Sequence, residues 1–326
     1  MYRTASRYLK KCFGIAALLA AVPPAMAAGF PSQPIHLIVG FPPGGGGDLY
    51  GRLIAQAMSK SMGQSIVVEN KPGAGGNIAA GVVAKSRPDG YTLLMAMSGN
   101  IAVAPVVESG RIPYKSPEDF TMIGSMVEAP YGLFVPAKSK FKTAQDFLAA
   151  TKSRQLTIGS TSPGGAAHIV LEMVKKQSKA NLLYVPYRGT GPGIIDMLAG
   201  QIDAFFVTAP PVMSQVKGGN VRILAITGEK PNPGMPGIPT FKELGIPVVV
   251  TQWYGLAAPA GTPPDVVQYL AKHLSMALAD PQVRKKIEQD GAVEKDESTN
   301  SFLQYVKDDI QRYRNDISPD VLKGIK

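Results

Sequence analysis

The sequence predicts a two-lobed α/β fold, with one lobe built from both ends of the chain and the other inserted in its middle. Three observations carry that expectation. Short apolar runs bounded by Gly and Pro alternate with longer amphipathic segments, the signature of strand–helix–strand units with mainly parallel sheets. The rhythm occurs twice, with a break near residues 105–128. At 326 residues the chain holds two ordinary domains, and with 45% hydrophobic residues it supplies a core for each.

Runs at 35–40 (IHLIVG), 65–70 (SIVVEN) and 91–96 (YTLLMA) read as buried strands, and 48–62 and 77–85 as the helices between them. Beyond the break, YGLFVPA, LTIGS, NLLYVPY, DAFFV and VRILAIT repeat the pattern, again with helices between. A Pro-rich link, KPNPGMPGIPT, leads to WYGLAAPAG and then to helices over 263–278, 281–289 and 298–315. Those last helices need a sheet to pack on, and the first lobe offers it. Residues 28–127 plus 232–326 are therefore assigned to lobe one and 128–231 to lobe two, joined by two crossings.

Composition excludes several functions. With 18% charged residues beside that apolar content, wholesale disorder, coiled coil and collagen are ruled out. One Cys excludes a disulfide scaffold, and with three scattered His it leaves too few soft ligands for a Cys/His metal cluster. Neither a metal nor any other cofactor is expected. MYRTASRYLKK carries Arg3, Arg7, Lys10 and Lys11 with no acid, CFGIAALLAAV is apolar, and PPAMAA offers Ala25 and Ala27 around Met26. Residues 1–27 thus read as a signal peptide cleaved after Ala27, directing the chain to export. The apolar run is well short of the about 20 residues a transmembrane helix needs. Losing four basic residues lowers the formal charge of +10, and the mild excess left serves solubility or steers a small anion. Export, the lack of a dense Lys/Arg stripe and only 7% aromatic residues disfavour a nucleic-acid partner.

The informative feature is a strand, a Gly-rich loop and a helix start, repeated at 38–48, 67–77, 157–168 and 184–193. Glycine lets a ligand lie against backbone, and the first N–H groups of a helix have no internal partner. Their positive dipole end favours an anion. Such loops sit at the carboxyl ends of strands, where open α/β sheets bind ligands, so two loops in each lobe can close on one small molecule. Each loop alone is explained by the need to turn the chain. Nucleotide readings fail on spacing: GGGGD lacks a following Lys-Ser or Lys-Thr, and no loop completes G-x-G-x-x-G. A hydrolase pair of Ser162 and His168 lacks the G-x-S-x-G elbow and an evident Asp, and no enzymatic role is expected.

Asp48 and Asn77 stand where helix caps belong, and Asn77 also has reach toward a ligand. The hydroxyls of Ser98, Ser160, Thr161, Ser162, Thr190 and Thr208 lie at strand ends or in loops facing the same cleft and together suit a carboxylate. Arg188 is the one cation within the four loops besides Lys71, and a solvent-facing turn is its more frequent place. His36, His273, Trp253 and Tyr254 read as packing, hinge or surface residues.

IVGFPPGGGGDLYGR, VVENKPGAGGNIAAGVVAKSRPDGYTLLM, LTIGSTSPGGAAH, VPYRGTGPGIIDMLAGQID and WYGLAAPAGTP resemble, in order and spacing, the extracytoplasmic solute receptors of tripartite tricarboxylate transporters, the Bug family. The likeness covers about residues 30–317. It implies a two-lobed periplasmic binding protein of type II topology with two crossover connections. It also implies a receptor that captures a small organic carboxylate and delivers it to integral-membrane permease subunits, or else serves a sensor kinase as a ligand-dependent co-receptor; one ligand per closing clamshell suits a monomer. Position by position, the resemblance carries ligand contacts onto Pro43, Gly44, Gly45, Gly46 and Gly47, and onto Ser98. In the second lobe it carries them onto Ser160, Thr161, Ser162, Gly164, Gly165, Ala166 and His168, and onto Tyr187, Gly189 and Thr190. Two departures stand out. Gly47 takes the place of a Thr, Ser or Ala in many members. Thr208 stands where members often carry an Asp able to hold an amino group, so carboxylates lacking an amine are expected.

Overall fold

The computed structural model describes residues 29–318 and 321–322. The leader assigned to residues 1–27 lies outside them. Of the segment before Gln33, residues 29–32 are described and hold no regular secondary structure, and from Gln33 onward the chain forms a compact unit of its own.

That unit opens with β1 (Ile35–Val39), α1 (Gly46–Met62), β2 (Ile66–Asn70), α2 (Asn77–Ala84) and β3 (Thr92–Met97). The three strands run parallel in the order β2-β1-β3. Helix α1 stops where Gly63 turns left-handed at φ 67° and donates its N–H to the Ser59 carbonyl, a stop that glycine adopts at no steric cost. A π turn (Ser98–Val103) and α3 (Ala104–Val107) lead into β4 (Phe120–Pro136). There follow α4 (Ala144–Ala150), β5 (Leu156–Thr161), α5 (Ala166–Ser178), β6 (Leu182–Tyr187), α6 (Thr190–Ala199), β7 (Ala204–Thr208), α7 (Met213–Lys217) and β8 (Val221–Ile226). Here β5 lies between β6 and β7, all three parallel, repeating the first arrangement. The chain returns through 227–250 to β9 (Thr251–Pro259), α8 (Pro264–Leu278), α9 (Pro281–Gln289), β10 (Val293–Glu294) and α10 (Thr299–Asp316).

The two-lobed α/β expectation holds, with one correction. The stretch read as a break, 105–128, contains the first part of a continuous 17-residue strand. Residues 120–130 of β4 pair antiparallel with β9, and from Tyr131 the same strand pairs with β7 and then β8. Gly124, Glu128 and Pro130 look like strand breakers. Pro130 stands at the handover between partners, where a missing N–H is tolerated.

The terminal helices close the first half. Trp253 on β9 is fully buried, meets Phe302 of α10 edge-on at 5.3 Å, and donates its Nε1 hydrogen to Asp309 at 2.8 Å. Trp253 is thus core packing, as the sequence suggested. Arg312 pairs with the same carboxylate and donates to the Val249 carbonyl, which ties α10 to the returning segment.

Candidate functional site

Strand order places the site. In each half a first strand sits between two neighbours, so the connections on either side of it leave the sheet on opposite faces and open a crevice at the strand's carboxyl end. The crevices after β1 and β5 share a cavity of about 600 Å³, mouth included.

Three helices begin on its wall. Gly45 precedes α1, Gly165 precedes α5 and Gly189 precedes α6, each in extended backbone and none with a side chain capping the helix. Helices α4 and α9, by contrast, receive side-chain caps from Thr143 and Asp280. The first N–H groups of α1, α5 and α6 are therefore left to whatever occupies the cavity.

Glycine is required at Gly46, because a Cβ there would lie 2.3 Å from the Tyr254 hydroxyl oxygen. Around the mouth the halves come close. A Cβ on Gly189 would be 3.4 Å from Pro42 Cγ, one on Gly99 3.6 Å from Ala166 Cβ, and one on Gly75 3.8 Å from Gly165 Cα.

Of the residues expected at the site, Gly45, Gly46 and Gly47 line the cavity from the first loop. Thr161, Ser162 and Ala166 line it from the third, Gly189 and Thr190 from the fourth, and Thr208 from the end of β7. The others stand behind that wall. Gly44 turns left-handed (φ 83°) and donates its N–H to Asp48 Oδ2 at 3.0 Å; Gly164 turns likewise (φ 73°) and donates to His168 Nδ1 at 3.1 Å. Pro43 and Gly165 belong to the same two turns.

Asp48 is therefore a pin for its loop rather than a cap. Burial works to raise its carboxyl, but hydrogen bonds from Arg52, Gly44 and Asn70 outweigh that and hold it below the usual carboxylate value. His168 stacks on Tyr184 at 3.8 Å, with Nε2 3.7 Å from Glu172, and neither ring nitrogen hydrogen-bonds Ser162.

Ser160 donates its hydroxyl to the Phe206 carbonyl at 2.6 Å, and Tyr187 donates to Asp196 at 2.8 Å, so both turn away from the cavity. Burial, with the Asp196 carboxylate beside it, pushes the Tyr187 phenol up to about 12. Ser98 is fully buried, and among the described residues its hydroxyl has no hydrogen-bond partner. Asn77 is also buried. It donates to Glu108 at 3.1 Å and accepts from the Tyr114 hydroxyl at 2.7 Å, so Asn77 faces its own lobe, and no residue of the second Gly loop lines the cavity although Gly75 nears Gly165 at its mouth.

Sequence reasoning missed the floor. Tyr131, Gln252 and Tyr254 lie where β4 and β9 pass beneath the cavity, and Met97 and Val207 line it from strand ends. Tyr254, read as packing, places its hydroxyl beside that of Thr208, and burial raises its phenol well above the ordinary value. The signal available was Gln252, a polar residue opening the apolar run of β9. Arg188 stands exposed on the lining, as expected of a turn, yet at the mouth of the cavity. Among the described residues no Asp or Glu lines it.

A sequence profile described as the tripartite tricarboxylate transporter family receptor matches residues 51–319. Protein BugT of Bordetella pertussis is 33% identical over 293 residues, covering 89% of this chain and 90% of that one. MatC from Rhodopseudomonas palustris, solved with bound malate, superposes with a TM-score of 0.82 at 29% identity, covering 89% of this chain and all of that one. A second R. palustris protein, solved with adipate, gives 0.84 at 29% identity over 91% of this chain and 98% of that one. With a cavity between two halves of one fold, and with likeness of this extent to proteins of known family, the chain belongs to the tripartite tricarboxylate transporter receptors, the Bug-type periplasmic solute-binding proteins.

Proposed function

We propose that this receptor captures a small organic carboxylate between its lobes in the periplasm and passes it, as a monomer, to the integral-membrane permease subunits of a tripartite carrier. One observation carries the reading: three glycine-started helices without side-chain caps open on a cavity that no acidic side chain lines. The moving parts are residues 28–127 plus 232–326 against 128–231, turning on β4 and on the return through 227–250. Malate and adipate in the two R. palustris proteins support a carboxylate here. The leader at residues 1–27 supplies the export route, and among the described residues no helix is long and apolar enough to cross a membrane.

A carboxylate on these N–H groups gains roughly 1.5–3 kcal/mol per charge-assisted hydrogen bond. Two or three of them supply roughly 3–9 kcal/mol before the cost of ordering, so micromolar binding at about 8 kcal/mol also draws on apolar contact with the cavity wall. An ammonium group would find no carboxylate partner, so succinate should outbind aspartate. Thermal-shift measurements on the purified chain with dicarboxylates, the corresponding diamides and amino acids test this, because binding to the folded state appears directly as stabilisation. Stabilisation by diamides or amines but by no carboxylate would end the reading.

A further inference from the structure

We infer that the carboxylate taken by this receptor has an unsubstituted hydrocarbon body, aliphatic or aromatic, and that Met97, seated against Gly47, sets that preference. The inference rests on the carboxylate reading above and adds what lies behind the charged end.

Gly47, in the first turn of α1, leaves a gap that Met97 fills. A Cβ at Gly47 would lie 2.9 Å from Met97 Sδ and 3.5 Å from its Cε. The thioether therefore occupies the space that a side chain at this helix start would use. Met97 brings no donor of its own, since its backbone N–H is spent on Asn100 Oδ1 at 2.9 Å. Phe41 and Val207 continue the apolar wall.

The polar atoms of the floor are partly spent on one another. Tyr131 donates its hydroxyl to Gln252 Oε1 at 2.8 Å, and Gln252 Nε2 donates to the Trp253 carbonyl at 2.8 Å. What these two side chains offer a ligand is mainly a ring face and a hydrocarbon stem, with the second amide hydrogen of Gln252 not used in these bonds. Polar groups of the lining are concentrated at the helix starts, at Thr161 and Ser162, and at the Thr208–Tyr254 hydroxyl pair. A ligand hydroxyl facing the wall of Met97, Phe41 and Val207 would thus leave water without gaining a partner, whereas methylene or ring surface there gains contact with a polarizable sulfur.

The experiment is calorimetric titration of the purified chain with acids paired by length and charge: succinate against malate, and adipate against galactarate. In each pair that binds, the unsubstituted acid should bind roughly 10- to 100-fold tighter, the range over which an apolar wall rejects an added hydroxyl. Met97→Ser should shrink the gap to about threefold or less, chiefly by improving the hydroxy acid, while Met97→Leu should keep the gap. Hydroxy acids binding the wild-type chain as well as or better than their partners would overturn the inference, and that comparison needs no variant to fold. A gap unchanged in folded Met97→Ser would overturn the role given to Met97. Binding of none of the four acids would sink the carboxylate reading itself, and the inference with it.

Discussion

In the first lobe Gly44 gives its N–H to a carboxylate four residues on; in the second, Gly164 gives its N–H to an imidazole at the same spacing. The turns match and the acceptors differ in charge. Asp48 places a full negative charge at the start of α1 and needs Arg52 and Asn70 to neutralise and hold it. His168 accepts through a neutral ring nitrogen and is held by its stack on Tyr184. Both pins withdraw one N–H from the cavity and fix the glycine before the helix, so the remaining helix-start donors are oriented by side chains that do not line the cavity. A second pair of loops diverges further. The loops after β2 and β6 are similarly rich in glycine, yet Asn77 ties the first to Tyr114 and Glu108, whereas Gly189 and Thr190 of the second line the cavity.

His168→Ala should produce the largest effect, because it removes a buried ring, its stack and the acceptor for Gly164 together. A loss of about 3 kcal/mol in urea unfolding is expected, with carboxylate affinity weakened at least roughly tenfold. An intact affinity would show that the pin is dispensable. Asn77→Ala should cost about 2 kcal/mol, since it strands two buried partners, yet leave carboxylate affinity unchanged. A tenfold loss of affinity would return the second loop to the site.

Asp48→Asn keeps an acceptor and loses the charge, for about 1 kcal/mol near neutral pH. Because the folded carboxyl lies below its unfolded value, its contribution is fully present above the ordinary carboxylate range and is lost as pH falls through the lowered folded value. The melting-temperature difference between wild type and Asp48→Asn should therefore be constant from about pH 5 to 8 and vanish in strong acid. A difference that grows on acidification would contradict the ion pair with Arg52. Arg188→Gln should be the mildest change, within about 0.5 kcal/mol in stability. Its trace should be a slower, less salt-sensitive association rate for dicarboxylates, measured by stopped flow.

Much of this fold can be read from the chain because parallel strands covered on both faces appear as unbroken apolar runs, and Gly63 and Pro281 mark helix boundaries locally. β4 could not be read that way. A strand that serves two sheets carries its glycine and proline where the partners change, and local rules count those residues as ends. Glycine loops advertised the helix starts, since glycine is needed wherever backbone faces a ligand. They did not say which loop turns inward, because that depends on Tyr114, distant in sequence from Asn77. The floor residues were hidden for a related reason: Tyr131 and Tyr254 sit in apolar strands and reveal themselves only when β4 and β9 lie side by side.

If the lobes close as proposed, the uninterrupted run of β4 from one sheet into the other is the axle of that motion. Tyr131 stands one residue past the handover at Pro130, and Gln252 lies next to Thr251, Pro130's partner across the ladder. A guest resting on those two side chains sits almost on the axis, where a turn of the lobes displaces atoms least. Arg188 and Pro42, out at the rim, travel farthest for the same angle, so the bottom of the cradle is set before arrival and the last ångströms of the grip are won at its lip.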